Sequence, residues 1–193
     1  MTDRLDFCYN SHVMKALVKV ALVLTFSGPG LWGQDSSLES AFEGDAVKRA
    51  RLADLQGTEK PPPLIVDSWV NSEAMSLADL KGKIVVLDFW ATWCGPCLRA
   101  VPHTNQLAEK YKDQVVFIGV CSTRGAEKMA ETIAKSDIKY PVCKDVDNKT
   151  KNAYEVNGFP DYYIIDQNGK LVVADCQNAK VEEVIETLLK GDS

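Results

Sequence analysis

Histidine is nearly absent from this chain: His12 and His103 are the only two in 193 residues. No histidine-based nucleophilic triad can be assembled from so few. A second C-x-x-C is missing, and so is H-x-x-x-H. Cys94-Gly95-Pro96-Cys97 therefore has no partner half-site, which argues against a zinc cluster and leaves no metal site expected. Basic charge is not in excess either. A net charge of −5 disfavours nucleic acid or an anionic membrane surface as a partner. Internal repeats and low-complexity tracts are lacking. The apolar run 16–26, interrupted by Lys19 and Thr25, is too short for a membrane span.

Cysteine, by contrast, is plentiful. Six are many for a reducing compartment and point to an oxidising one. The N-terminal pattern agrees. Lys15 and Lys19 supply positive charge, 16–26 supplies the apolar segment, and Ser27-Gly28-Pro29-Gly30 supplies the break and small residues. Residues 1–33 therefore read as a secretory signal with cleavage near Gly30 or Gly33. Asp3 and Asp6 suit such a signal poorly, so translation is expected to begin at Met14. No cysteine follows closely enough for a lipid anchor. The protein is expected outside the cytoplasm, in a periplasmic or equivalent space, and membrane-tethered only if the signal stays uncleaved. Residues 34–61 turn polar and close on Pro61-Pro62-Pro63; they read as a linker or loosely packed N-terminal extension with a weak stripe of Leu38, Phe42, Leu52 and Leu55.

The remaining 62–193 form one domain, organised around a single stretch. Ile84-Val85-Val86-Leu87-Asp88-Phe89-Trp90 is apolar on both parities apart from Asp88, the pattern of a strand buried on both faces. A short turn through Trp93 leads into Cys94-Gly95-Pro96-Cys97, which opens a segment of helical spacing to Tyr111. A cysteine at a helix N-terminus faces unpaired N–H groups and the positive end of the helix dipole, which favour thiolate over thiol. One turn further in, the second cysteine can displace a disulfide formed on the first. Cys94 is thus the expected nucleophile, the more exposed and acidic of the two, and Cys97 the resolving thiol. Asp88 is expensive to bury as an anion, so its pKa is expected to rise.

Trp93-Cys94-Gly95-Pro96-Cys97, with Asp88 before it and Pro102 after it, resembles the active site of the thioredoxin superfamily. The string Ser76-Leu77-Ala78-Asp79-Leu80-Lys81-Gly82-Lys83 is similar to that of the extracytoplasmic TlpA/ResA-type reductases, and the likeness covers about residues 62–189. It implies an α/β thioredoxin-like fold, a central mixed β-sheet flanked by helices, with a TlpA-type central insertion. It implies thiol–disulfide exchange through the Cys94–Cys97 pair with no further cofactor. Clients would be disulfide-containing proteins, and an external electron donor would restore the dithiol. By the same resemblance Asp88 takes the proton of the resolving cysteine, and Pro160 is a cis-proline facing the dithiol. Trp93, Gly95, Pro96, Phe159 and Pro160 would contact the client. The Gly-Pro pair resembles that of reducing thioredoxins. Two departures stand out: Phe159 replaces a smaller or β-branched residue, and Ala100 replaces the glutamate of ResA-type cytochrome c maturation reductases. The second argues against dedicated apocytochrome reduction.

Two other functions compete. A peroxiredoxin-like peroxidase would need Pro-x-x-x-Thr-x-x-Cys, which is absent; a scaffold without turnover would not need an intact Cys-Gly-Pro-Cys. Around the motif, 64–70, 115–121, 162–166 and 171–174 read as strands, the last two joined by Gln167-Asn168-Gly169, and 140–143 resembles the extra strand in the central insertion of TlpA-like proteins. Helices are expected over 125–135 and 149–154, and on the stripe Val181, Val184, Ile185, Leu188, Leu189. His103 is expected on the exposed side of the active-site helix. Cys121, Cys143 and Cys176 read as small buried hydrophobes. Adjacent strands would let Cys121 and Cys143 approach, but connectivity stays open.

Overall fold

Seven consecutive buried residues, Ile84–Trp90, form the central strand β2 of the computed structural model, which describes residues 36–191. The expected signal segment 1–33 and the start at Met14 lie outside the described residues. Ahead of β2 come α1 (Ser36–Ser40), α2 (Ala46–Arg51) and β1 (Val66–Val70). After it follow α3 (Gly95–Lys110), β3 (Val115–Cys121), α4 (Met129–Lys135), β4 (Val142–Asp145), α5 (Lys149–Ala153), β5 (Asp161–Ile165), β6 (Leu171–Cys176) and α6 (Val181–Gly191). The sheet order is β1-β4-β3-β2-β5-β6. β2 pairs parallel with β3 and antiparallel with β5; β4 joins β3 in parallel, and the two edge strands run antiparallel to their neighbours.

Alternation along β2 divides the core. Ile84, Val86 and Trp90 point to one face and share a cluster with Val101 and Leu107 of α3, Ile133 of α4 and Val184 and Ile185 of α6. Val85, Leu87 and Phe89 point to the other, where Leu52, Leu55, Tyr154 and Tyr163 cover them. Each fully buried side chain of this size contributes about 1.5–3 kcal/mol against its exposed state. That explains why β2 tolerates no polar residue but Asp88.

The stretch 34–61 is not the loose linker expected: Ala41 and Leu52 are each only 1% exposed. Its backbone lines the edge of β6, with Glu43 N–H donating to the Asp175 carbonyl at 2.9 Å and Gln177 N–H to the Ala41 carbonyl at 2.8 Å. An open strand edge needs a partner, and this segment provides one through its backbone while Leu52 and Leu55 of its weak apolar stripe are buried in the core. Lys48 also reaches in, bonding Asp175 and lying 3.5 Å from Asp161 Oδ2.

The lone cysteines are small buried side chains, as expected. β3 and β4 are adjacent as expected, but their register pairs Val120 with Cys143 and Cys121 with Lys144. Cys121 and Cys143 therefore face opposite sides of the sheet and belong to different core clusters. They and Cys176 are free and buried, and burial pushes the Cys121 and Cys176 thiols up to about 12. β4 also begins later than expected, at Val142, because Pro141 has no N–H for the ladder. Its carbonyl still accepts from Gly119 N–H at 2.8 Å.

Candidate active site

The end of β2 delivers the chain to a tight turn in which Cys94 N–H donates to the Ala91 carbonyl at 2.9 Å. Cys94 then caps α3, its sulfur accepting from Cys97 N–H at 3.2 Å. Pro96 occupies the first turn, where its missing N–H costs nothing. Cys94 and Cys97 are joined as a disulfide. The geometry is that of a sulfur presented to the positive end of a sixteen-residue helix, which favours its anionic form once reduced. The expected difference in exposure is not seen. Cys94 is 4% and Cys97 5% exposed, because both belong to the apolar cluster against which Phe159 packs.

The rim is aromatic and basic. Trp93, 52% exposed, meets Phe159 edge-on at 5.9 Å between ring centroids. Its indole N–H donates to the Arg124 carbonyl at 3.0 Å, and the Arg124 guanidinium lies 5.1 Å from its ring centroid. Gly125, at φ +83°, lets this loop close on the turn: a Cβ there would meet Thr92 Oγ1 at 2.6 Å. Gly95 and Pro96 are exposed. The Phe159–Pro160 bond is cis, as expected, and Pro160 precedes Asp161, which pairs with Phe89 at the end of β2 where the Cys94 turn begins.

Asp88 lies on the α3 side of β2, fully buried. Its Oδ2 accepts from the Tyr140 hydroxyl at 3.0 Å, and its Oδ1 has no hydrogen-bond partner among the described residues. Burial raises its pKa from 3.8 to about 7, against the opposing pull of the Tyr140 hydrogen bond.

This arrangement can be set against known proteins. Residues 59–174 match the AhpC/TSA family. The chain belongs to that family. Among curated relatives of this AhpC/TSA-family chain, it is 37% identical over 117 residues to a thiol-disulfide oxidoreductase ResA of Bacillus cereus, covering 60% of this chain and 66% of that protein. It is 33% identical over 135 residues to the ResA of Bacillus thuringiensis subsp. konkukian, covering 69% and 76% respectively. Among solved structures it resembles a DsbE-type thiol:disulfide interchange protein from Chlorobium tepidum, with 29% identity, a TM-score of 0.59, and 71% of this chain and 97% of that one covered. The fold is thioredoxin-like, and the chain is a thioredoxin-like oxidoreductase of the ResA and DsbE kind.

Some features of this family member were not foreseen. His103 is half-buried on α3 rather than exposed. Nothing local in the sequence marks Tyr140 or Arg124 as a part of the site. Among the described residues, no group of three or more His, Cys, Asp or Glu side chains could hold a metal ion. No helix there is long and apolar enough to cross a membrane. A cavity of about 970 Å³ runs along the flank of α3 between Pro102, Gln106, Phe117 and Tyr140, and neither cysteine of the disulfide lines it.

Proposed function

We propose that the protein is an exported enzyme that reduces disulfides of client proteins through Cys94 and Cys97. The Cys94 thiolate attacks one client sulfur, forming a mixed disulfide, and the other client sulfur leaves as a thiolate and takes a proton. Cys97 gives its proton to Asp88 and attacks the Cys94 sulfur. The second client thiol leaves, and Cys94–Cys97 closes, two electrons having passed to the client. An external dithiol donor, acting from outside the cytoplasm, reopens the pair. Trp93, Gly95, Pro96 and Phe159 with Pro160 form the surface on which an extended client would rest. Ala100 offers no carboxylate, so apocytochrome is not the proposed client. Export rests on the charged-then-apolar pattern of 1–33 together with the number of cysteines.

The observation that carries this reading is the Cys94 sulfur seated at the start of α3 with Cys97 N–H 3.2 Å away. The test is a pair of substitutions. Cys94→Ser is expected to abolish reduction of a protein disulfide, and Cys97→Ser to accumulate client mixed disulfides on Cys94. Limiting iodoacetamide that labels Cys97 ahead of Cys94 in the reduced protein would reverse the roles. Function retained with both cysteines replaced by serine would indicate a scaffold, and thiol-dependent peroxide turnover exceeding disulfide reduction would indicate a peroxidase.

A further inference from the structure

The segment between β3 and β5 does more than widen the sheet. Tyr140, just before β4, is 4% exposed and sends its hydroxyl to Asp88, fifty-two residues earlier in the chain. Three features hold it there. Asn71 Nδ2 donates to the Ile138 carbonyl at 2.8 Å and to the Tyr140 carbonyl at 3.1 Å, pinning the backbone on both sides of Lys139. Gly119, the β3 residue paired with Asp88, leaves room for the ring: a Cβ there would meet Tyr140 Cε2 at 3.2 Å and Trp90 Nε1 at 3.1 Å. Phe117 lies against the Tyr140 ring at 6.4 Å between centroids. A buried carboxylate so placed has one oxygen fixed and the other without a partner among the described residues.

We infer that Tyr140 is a positioning residue for disulfide exchange: its hydroxyl anchors Asp88 Oδ2 and leaves Oδ1 to take the proton from Cys97. The inference rests on the proposed function. Burial pushes the Tyr140 phenol well above its ordinary range, so it remains a donor throughout the pH range in which Asp88 titrates. The other groups facing Asp88 are few. β5 presents Tyr162, whose phenol is also raised by burial, and β3 presents Gly119. Among the described residues no cation acts on Asp88, and the Tyr140 hydrogen bond is the contact there that favours its ionised form. Without it the carboxyl should hold its proton to higher pH and accept the Cys97 proton poorly near neutrality.

The test is Tyr140→Phe, which removes the oxygen and keeps the ring. The Asp88 carboxyl is titrated directly by carbon NMR in the oxidised protein, and the pH–rate profile of client reduction is measured beside it. Loss of a hydrogen bond to a charged group should raise the Asp88 midpoint from about 7 by about one to two pH units. The acidic limb of the rate profile should move up equally. In an Asp88→Asn background, Tyr140→Phe should have no further effect on that profile. Asn71→Gly, which tolerates the φ of +67° at that position, should move both measurements the same way by a smaller amount and serves if Tyr140→Phe does not fold. An unmoved midpoint in the folded variant overturns the contact. A shifted midpoint with an unmoved rate profile overturns the role in exchange. A wild-type protein that titrates as described but reduces no disulfide overturns the proposed function instead, so the two failures are distinguishable.

Discussion

Replacing Asp88 with asparagine removes a titratable group from the core at nearly constant volume, and its effect on stability should depend on pH in a calculable way. The carboxyl goes from 3.8 to about 7 on folding because burial disfavours the anion. A raised folded-state pKa means the folded protein binds this proton more tightly than the unfolded chain. Its stabilising contribution is complete below about pH 4 and is lost as pH rises to about 7. The gap corresponds to about 4 kcal/mol, a large share of the 5–15 kcal/mol typical of a domain. Asparagine has no such dependence. The stability of Asp88→Asn relative to wild type should therefore climb by about 4 kcal/mol between pH 4 and pH 8 and stay level above. Urea unfolding of the oxidised proteins across this range measures the difference, and other buried acids such as Asp161 cancel because both proteins carry them. The constant offset between the two, set by how well the amide fits beside Tyr140, is immaterial to the test. Parallel stability curves from pH 4 to pH 8 would refute the assignment of Asp88 as a buried acid with a raised pKa. Turnover is expected to fall in the same variant.

Lys48→Met should leave Asp161 and Asp175 without their cation and cost about 3–5 kcal/mol at alkaline pH. Asp161, raised to about 8 chiefly by burial, is neutral in acid, so the loss should shrink as pH falls toward 4; a pH-independent loss in urea unfolding would contradict this. Phe159→Thr removes an edge-on aromatic contact with Trp93, a type of contact that contributes about 0.5–1.5 kcal/mol beyond burial, and should change client preference while sparing exchange with a small disulfide. Rates on a protein disulfide and on oxidised glutathione should separate; an equal fall in both would place Phe159 in the chemistry rather than in client contact.

Much of the framework was legible because it is written locally. β3 declares itself as an apolar run and β2 as one interrupted only by Asp88, the β5–β6 turn by Asn168-Gly169 with Gly169 at φ +90°, and α6 by its stripe. The dithiol was legible for the same reason, since a strand, a turn and a helix start are all contiguous. The covering of β6 by residues 41–43 was not legible. That contact is made by backbone groups, and any sequence of ordinary polarity can supply them.

The same distinction explains why Asp88 could be picked out while its environment could not. One acidic residue inside a seven-residue apolar strand is conspicuous on its own. Its partner is set by register instead: the pairing of Gly119 with both Asp88 and Val142 brings the chain before β4 across β3 to the acid. Register is a property of two strands and the loop between them, and a shift of one residue would turn Val142 to the other face and carry Tyr140 out of reach. Asn71, Gly119 and Pro141 each constrain that placement, and none has a local pattern that names its purpose. The reacting sulfurs thus follow from a motif of four residues. The acid proposed to serve them depends on a contact between residues far apart in sequence, and substitutions distant from Cys94 can be expected to alter the exchange chemistry through it.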